Sequence, residues 1–332
     1  MKRKSLYFNY SLLLVVLLLA AVGCKKETYS LPIANTTLQN TCIKRTLGPN
    51  IVGLNIDFAY AMALAAPGKI VSAQVEASIP GGAKTYMENR SFYTNASGVD
   101  VGITVGSPSV NDGAKTTVTF TKDTMAATLR YFYAIPEAAR GKSVSFTFTA
   151  KSSEGATVSF PMGPYTVAKM DMALNLRMRD GDSSYLSITD MAVYTSANVA
   201  AHAGNIDLVY LYRSTTPLII NHALVAPAAD PQYLPGVTLP AGVNKTAKIQ
   251  KVFSLQDFNL AHLQFGIYID DLDFQKLDMT GQPNFAINLK LDAGAWVETA
   301  DGKYRAYVYF NSVDNTNKAA VISIKRYVVE GK

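Results

Sequence analysis

The sequence predicts an all-β protein: two tandem β-sandwich domains, the first immunoglobulin-like, the second with one or two short helices. Three observations carry that expectation. Charged residues make up only 17% of the chain, tyrosines number 19, and valine, threonine, serine and alanine are abundant, a mixture that suits strands. Short runs alternating between apolar and polar residues recur and are closed by Gly, Asn, Asp or Pro turns. The 332 residues, less a removable leader, suffice for two domains that each bury a core.

The leader comes first. Lys2, Arg3 and Lys4 precede the apolar run Leu12 to Cys24, LLLVVLLLAAVGC, giving the order basic, apolar, small residue, cysteine of a secretory signal. The run is shorter than the roughly 20 residues of a membrane span. Its ending, Ala21-Val22-Gly23-Cys24, looks like a bacterial lipobox, which cuts the chain before the cysteine and lipidates its thiol. Residues 1–23 therefore read as a lipoprotein signal peptide and Cys24 as the lipidation site. Each buried CH2 contributes about 0.8 kcal/mol, so two or three acyl chains hold a protein almost permanently. Residues 24–45 read as a lipidated tether, punctuated by Asn, Thr and Pro and without sustained periodicity. The net charge of +6 includes three basic residues of the leader, and no basic stripe follows, which disfavours a nucleic-acid partner. Once Cys24 is acylated, Cys42 has no disulfide partner and is expected to pack as a small apolar side chain.

Residues 46–168 read as the first sandwich. IVGLNIDFAYAM, from Ile51, alternates in part. KIVSAQVEASI places Val71, Ala73, Val75, Ala77 and Ile79 on one face, and Gly81-Gly82 ends it. Val99 to Val105, TTVTFT after the Asp112-Gly113 turn, and LRYFYAI before Pro136 follow. Val144, Phe146 and Phe148 alternate with Ser and Thr, and Glu154-Gly155 turns the chain into ATVSFPMGPYTV. Some seven short strands at this spacing indicate an immunoglobulin-like sandwich without its Cys…Trp…Cys mark.

Residues 169–332 read as a C-terminal β-sandwich. In MDMALNLRMR, Met170, Met172, Leu174, Leu176 and Met178 share one face. YLSITDMAVY returns after the turn Arg179-Asp180-Gly181-Asp182. TSANVAAHAG suggests a short helix capped by Thr195 or Ser196 and stopped by Gly204. IDLVYLYR is a strand. Asn221 to Lys245 reads as irregular, with Pro227, Pro231, Pro235 and Pro240. Ser254-Leu255-Gln256-Asp257 resembles a capping box opening a helix to Leu263. FGIYIDD and FAINLKL read as strands, Val297 to Phe310 as a hairpin turning at Asp301-Gly302, and AVISIKRYVV as the last strand.

Catalytic motifs are absent: there is no G-x-S-x-G, Walker loop or H-E-x-x-H, and His202, His222 and His262 lack ligand spacing. No cofactor is implied. The densest carboxylates, Asp270, Asp271 and Asp273, are a weak cation candidate without calcium-loop spacing, against solvated aspartates at a strand end. Aromatics are the better clue, because flat rings stack on the C–H faces of sugars. Tyr86, Phe92 and Tyr93 lie among Glu88, Asn89, Arg90 and Asn95 in a stretch that suits a carbohydrate cradle or a cap on the sandwich end. Tyr233 lies in the Pro-rich stretch, which is either a binding loop or a wrap over the sheet. In the last hairpin Tyr307 and Tyr309 share a face with Arg305, opposite Tyr304, Ala306, Val308 and Phe310, and form an exposed pair if that second set is core. Trp296 opens the hairpin and is weighed as core against ligand platform.

The lipobox and the phrases CIKRTLGPNIVGLNIDFAYAMAL, KMDMALNL, NIDLVYLYR, IDDLDFQKLD and ETADGKYRAYVYF resemble uncharacterised lipoproteins of gut Bacteroidetes over nearly all of the mature chain. Such lipoproteins accompany outer-membrane systems that capture and import glycans. The resemblance implies an outer-membrane lipoprotein, held by its lipid, that binds carbohydrate or serves an uptake complex and carries no catalytic residue. Surface display is favoured over a periplasm-facing anchor, although only Glu27 follows Lys25 and Lys26 where an acidic export run would stand. The alternative is a structural or protein-interaction lipoprotein of the envelope. A third reading is a hydrolase with an unmarked carboxylate pair.

Overall fold

The structure is a computed structural model that describes residues 36–215, 219–261 and 266–331. The leader, Cys24 with its expected lipidation, most of the tether and His262 lie outside the described residues. No helix among the described residues is long and apolar enough to cross a membrane.

Strands are numbered in chain order. In the first sandwich, β1 (Gln39–Lys44), β2 (Asn55–Ala63), β9 (Ala126–Ala134) and β4 (Tyr86–Met87) form one sheet in that order. The facing sheet runs β11 (Thr157–Thr166), β10 (Ser143–Ser152), β3 (Ile70–Ala77), β8 (Lys115–Thr119), β7 (Val110–Asp112). β5 (Arg90–Thr94) and β6 (Asp100–Thr104) pair as a separate hairpin. Alternation drives the packing. Phe58 and Tyr60 of β2 and Tyr131 and Tyr133 of β9 point inward against Phe146 and Phe148 of β10. Ring centroids of Phe58–Phe146, Tyr133–Phe146 and Tyr60–Phe148 lie 4.8, 4.9 and 5.1 Å apart, in tilted or edge arrangements that the ring quadrupoles favour.

Two details depart from the alternation. The expected tether ends too late: Gln39–Lys44 is an edge strand whose Cys42 sits opposite Tyr60 in the core. Burial pushes the Cys42 thiol up to about 12, so it packs rather than reacts. In β3, Ile70 rather than Val71 is buried, because β3 itself bulges at Val71: Ser72 pairs with Lys151 and Ile70 with the next residue, Ser152, which shifts the register by one.

In the second sandwich one sheet runs β12 (Asp171–Arg179), β21 (Ala319–Val328), β20 (Tyr304–Asp314), β19 (Ala293–Glu298), β17 (Lys248–Phe253). The other runs β14 (Ala192–Tyr194), β13 (Tyr185–Ser187), β15 (Leu208–Arg213), β16 (Asn221–Val225), β18 (Phe285–Leu289). Between the sheets lie Leu208, Tyr210, Leu224, Ala306, Val308, Phe310 and Ile322. The outer faces are covered too. The Pro-rich segment after β16 lays Ala229, Leu234 and Val243 on Val209, Leu211, Ala223 and Val225. The segment after β17 lays Leu260, Ile269, Phe274 and Met279 on Trp296, Tyr307 and Tyr309.

The five residues expected on one face of β12 divide between two faces. Leu174 and Asn175 oppose the single residue Ser323, whose Oγ accepts from Asn175 N at 3.1 Å, and Asn175 takes φ 56°. This bulge leaves Leu174 exposed and turns Leu176 and Met178 to the inter-sheet core, while Met170 and Met172 face the outer cluster. YLSITDMAVY is the hairpin β13–β14 rather than one strand. Thr195 and Ser196 do not cap a helix: a 3-10 segment, Val199–Asn205, follows Asn198, whose side chain accepts from Thr195 N at 2.7 Å. The segment expected to be irregular from Asn221 opens with β16. Of FGIYIDD, expected as a strand, Gly266 to Asp270 form none and lead into the helix Asp271–Lys276. The cap of the preceding helix, Phe258–Ala261, is Asp257 rather than Ser254, with Oδ1 accepting from Leu260 N at 3.1 Å.

A tight seam joins the sandwiches. Ile51 of the first shares an apolar cluster with Met170, Phe274 and Tyr327 of the second. Asp271 accepts from Lys169 N at 2.7 Å and Met170 N at 3.2 Å. Arg140 donates to the carbonyls of Lys169 and Met170 at 3.0 and 3.1 Å and lies 2.6 Å from Asp171, which Arg326 holds from the other side at 2.5 Å. The linker is thus gripped through its backbone from both domains.

Candidate functional site

A large cavity opens at one end of the second sandwich, between β17 of one sheet and the β16–β18 edge of the other. It has a volume of about 600 Å3, within the roughly 300–1,000 Å3 of small-molecule sites. β16 contributes Asn221 and His222, β17 contributes Lys251 and Phe253, and Asn288, Leu289 and Lys290 come from the end of β18. Val313 comes from the end of β20 and Asn315 from the turn that leads to β21.

Local backbone chemistry builds it. β18 bulges against β16, so Ile287 and Asn288 together oppose Ala223. Asn221 and Asn288 take φ of 48° and 55°, which asparagine tolerates better than most residues. Asn221 Nδ2 donates to Asn288 Oδ1 at 2.8 Å, which ties the two special positions together. His222 is buried and joins a relay: its Nδ1 lies 2.7 Å from the Tyr210 hydroxyl and its Nε2 lies 2.8 Å from Asn315 Oδ1. Burial pushes the Tyr210 phenol above its ordinary range and His222 below its own. A neutral Nε2–H tautomer satisfies both contacts: Tyr210 donates to Nδ1, Nε2 donates to Asn315, and the Asn315 amide nitrogen keeps its donors. Phe253 leaves 54% of its surface exposed at the mouth, with the Lys290 ammonium 4.6 Å from its ring centroid. Lys251 Nζ donates to the carbonyls of Ile287 and Asn288 at 2.8 and 2.9 Å. Burial, and secondarily the charge of Lys290, lower its pKa. None of the lining residues is a carboxylate.

The residues singled out from the sequence fall elsewhere. Tyr86, Phe92 and Tyr93 come together on the first sandwich but form no cradle. Tyr86 stacks on Phe132 at 4.8 Å. The guanidinium carbons of Arg130 and Arg90 lie 3.9 and 5.2 Å from the Phe92 ring centroid. The amides expected to bind hydroxyls are each engaged by backbone at one end: Asn89 Nδ2 donates to Gly106 O, and Asn95 Oδ1 accepts from Ser97 N and Val99 N within its own turn. Tyr93 remains 52% exposed on β5. Tyr233 is half-buried, its ring stacked at 3.7 Å on Phe285, so its stretch wraps the sheet. Trp296, Tyr307 and Tyr309 are core, not platform, because the segment after β17 covers that face. Their hydroxyls are consumed inside: Tyr307 donates to Leu255 O at 2.6 Å and Tyr309 to Asp292 at 2.7 Å.

The carboxylate cluster is likewise structural. Asp270 and Asp273 form a reciprocal capping box at the start of helix Asp271–Lys276, and Asp271 holds the linker backbone. Among the described residues no group of three or more His, Cys, Asp or Glu side chains is placed to hold a metal ion. Asn221, His222, Phe253, Asn288 and Asn315 escaped sequence reasoning. Asn221 and Asn288 lie 67 positions apart and carry no shared motif; their only sequence signal is an asparagine at the end of an apolar run.

The fold defines a class, tandem all-β sandwiches, and comparison with known proteins supplies the family. A solved structure of a DUF4466 family protein from Parabacteroides merdae is 45% identical, with a TM-score of 0.83 over 89% of this chain and 99% of that one. The chain belongs to that family. The family model described as "Domain of unknown function (DUF4466)" matches residues 35–167, and "Domain of unknown function (DUF8576)" matches residues 168–329. The major pilin subunit of Bacillus cereus aligns over 85% of this chain and 63% of its own at 9% identity, but with a TM-score of 0.25 it carries no argument. No curated protein matches.

Proposed function

We propose that this is a non-catalytic outer-membrane lipoprotein, lipidated at Cys24 and facing the cell surface, that binds carbohydrate at the open end of its second sandwich or presents it to a glycan-uptake complex. One observation carries the ligand: an exposed ring, Phe253, shares a cavity of about 600 Å3 with the amides of Asn221, Asn288 and Asn315. An apolar platform flanked by amide donors and acceptors matches a sugar, which offers C–H on its faces and hydroxyls on its rim. The lining holds no carboxylate to act as acid, base or nucleophile, which favours binding over hydrolysis. The anchor rests on the leader LLLVVLLLAAVGC. The test is calorimetric titration of the mature protein with a panel of oligosaccharides, beside Phe253→Ala. Binding by the wild type that Phe253→Ala weakens tenfold or more supports the reading; silence across the panel sinks it.

A structural or protein-interaction role has its own support. Tyr93, Val99 and Ile103 are exposed on the β5–β6 hairpin, a larger apolar display than a solvated hairpin needs. That reading predicts stable capture of an outer-membrane protein, abolished by Ile103→Lys, with no saccharide affinity.

A further inference from the structure

We infer that this cavity selects acidic saccharides, with Lys251 and Lys290 receiving the carboxylate or sulfate of a sugar whose apolar face lies against Phe253; the inference rests on the saccharide reading above. Charge bookkeeping within the domain points there. Lys245, Lys248, Lys303 and Lys325 each lie within 4.0 Å of a carboxylate, at Asp207, Glu298, Asp301 and Asp257. Among the described residues Lys251, Lys276, Lys290 and Lys318 form no ion pair within 4.0 Å, and of these Lys251 and Lys290 share the cavity. Their mutual repulsion helps to lower the Lys251 pKa, and a bound anion would relieve it.

The neighbouring groups are mostly donors. Asn288 spends its oxygen on Asn221 and Asn315 spends its oxygen on the His222 relay, so both turn amide hydrogens to a ligand. Two carbonyls hold the Lys251 ammonium in place, so an anion meets a fixed charge rather than a swinging one. His222, buried and neutral, adds no charge of its own. A neutral glycan would gain only hydrogen bonds from the two ammoniums, whereas a uronic acid or a sulfated sugar offers both the flat apolar face and the anion that this site lacks.

The test titrates the mature, detergent-solubilised protein with oligogalacturonate, the same oligomer with its carboxyls reduced to alcohols, a sulfated galactan and sodium sulfate alone. Each is measured at low and high salt, with Lys290→Gln, Lys251→Gln and the charge-retaining Lys251→Arg alongside. Exposed pairs are worth up to about 1 kcal/mol, so each Gln variant is expected to weaken the acidic ligand about five-fold and Lys251→Arg to restore it. The acidic oligomers should bind about tenfold tighter than the reduced one, and salt should erase the margin. Equal affinity for the reduced and acidic oligomers overturns the acidic preference and leaves the saccharide reading standing. Displacement of the oligomers by sodium sulfate at equal concentration, with Phe253→Ala inert, overturns the role of the sugar face. No binding of any probe overturns both readings. Lys290 is exposed, so Lys290→Gln keeps the fold and the outcome decisive.

Discussion

The two sandwiches are made of similar strands but packed to different depths. The first has one apolar cluster, between its sheets. Among the described residues the second has three, one of them shared with Ile51 of the first, because long irregular segments cover both outer faces. β2 of the first is buried at alternate positions, whereas β15 has five consecutive buried residues and β20 another five. A strand covered on both sides needs a continuous apolar run, and LVYLY and AYVYF are such runs. The difference decides where a ligand can be met. Rings on the outer face of the second sandwich are walled in, while the end beside Phe253 keeps a cavity of ligand size. The first keeps one exposed ring, Tyr93, on its hairpin, beside Phe92, which two guanidiniums cover.

The comparison breaks most sharply at charged pairs. In the second sandwich Lys325 and Asp257 are both 0% exposed and 2.7 Å apart, and Asn259 and Ile269 O complete the lysine's partners. Asp257→Ala strands a buried ammonium and is expected to cost about 3–5 kcal/mol in urea unfolding. In the first sandwich, Asp123→Ala removes the exposed pair with Lys69, and a loss below about 1 kcal/mol is expected in the same assay. Similar losses at the two sites would refute the difference in depth. The rings give the next contrast. Tyr307→Ala should cost about 3–5 kcal/mol as a buried aromatic, and Tyr93→Ala within about 0.5 kcal/mol of nothing.

A smaller effect sharpens the account of the cavity. Burial holds the His222 pKa below its ordinary value of about 6.5, so the unfolded chain takes up its proton first as pH falls. The stability that neutral His222 contributes is whole above pH about 6.5 and is lost as pH falls toward the depressed folded value, with a slope of at most about 1.4 kcal/mol per pH unit. His222→Gln should flatten that part of the stability profile measured by urea unfolding between pH 7 and 5. An unchanged slope would remove the neutral relay from Tyr210 to Asn315.

Much of the fold was legible because period-two patterning and turn residues are local. The strands of NIDFAYAMA, FAINL and the hairpin at Asp301-Gly302 could be read directly. What escaped depends on other parts of the chain. Alternation in YRAYVYF divides the residues into two faces, but only the segment after β17, arriving from elsewhere in the sequence, buries Tyr307 and Tyr309. A bulge at Asn175 flips the second half of β12, and nothing in MDMALNLRMR marks it beyond one asparagine. The cavity was least legible of all, since Asn221, Phe253, Asn288 and Asn315 come from four separate stretches and meet only when both sheets are in place.

The most direct test is one affinity comparison: a saccharide bound by the wild type, titrated against Phe253→Ala and Tyr93→Ala. The account predicts that Phe253→Ala loses tenfold or more while Tyr93→Ala binds as the wild type does. Loss at Tyr93 with retention at Phe253 would move the site to the hairpin of the first sandwich and contradict it.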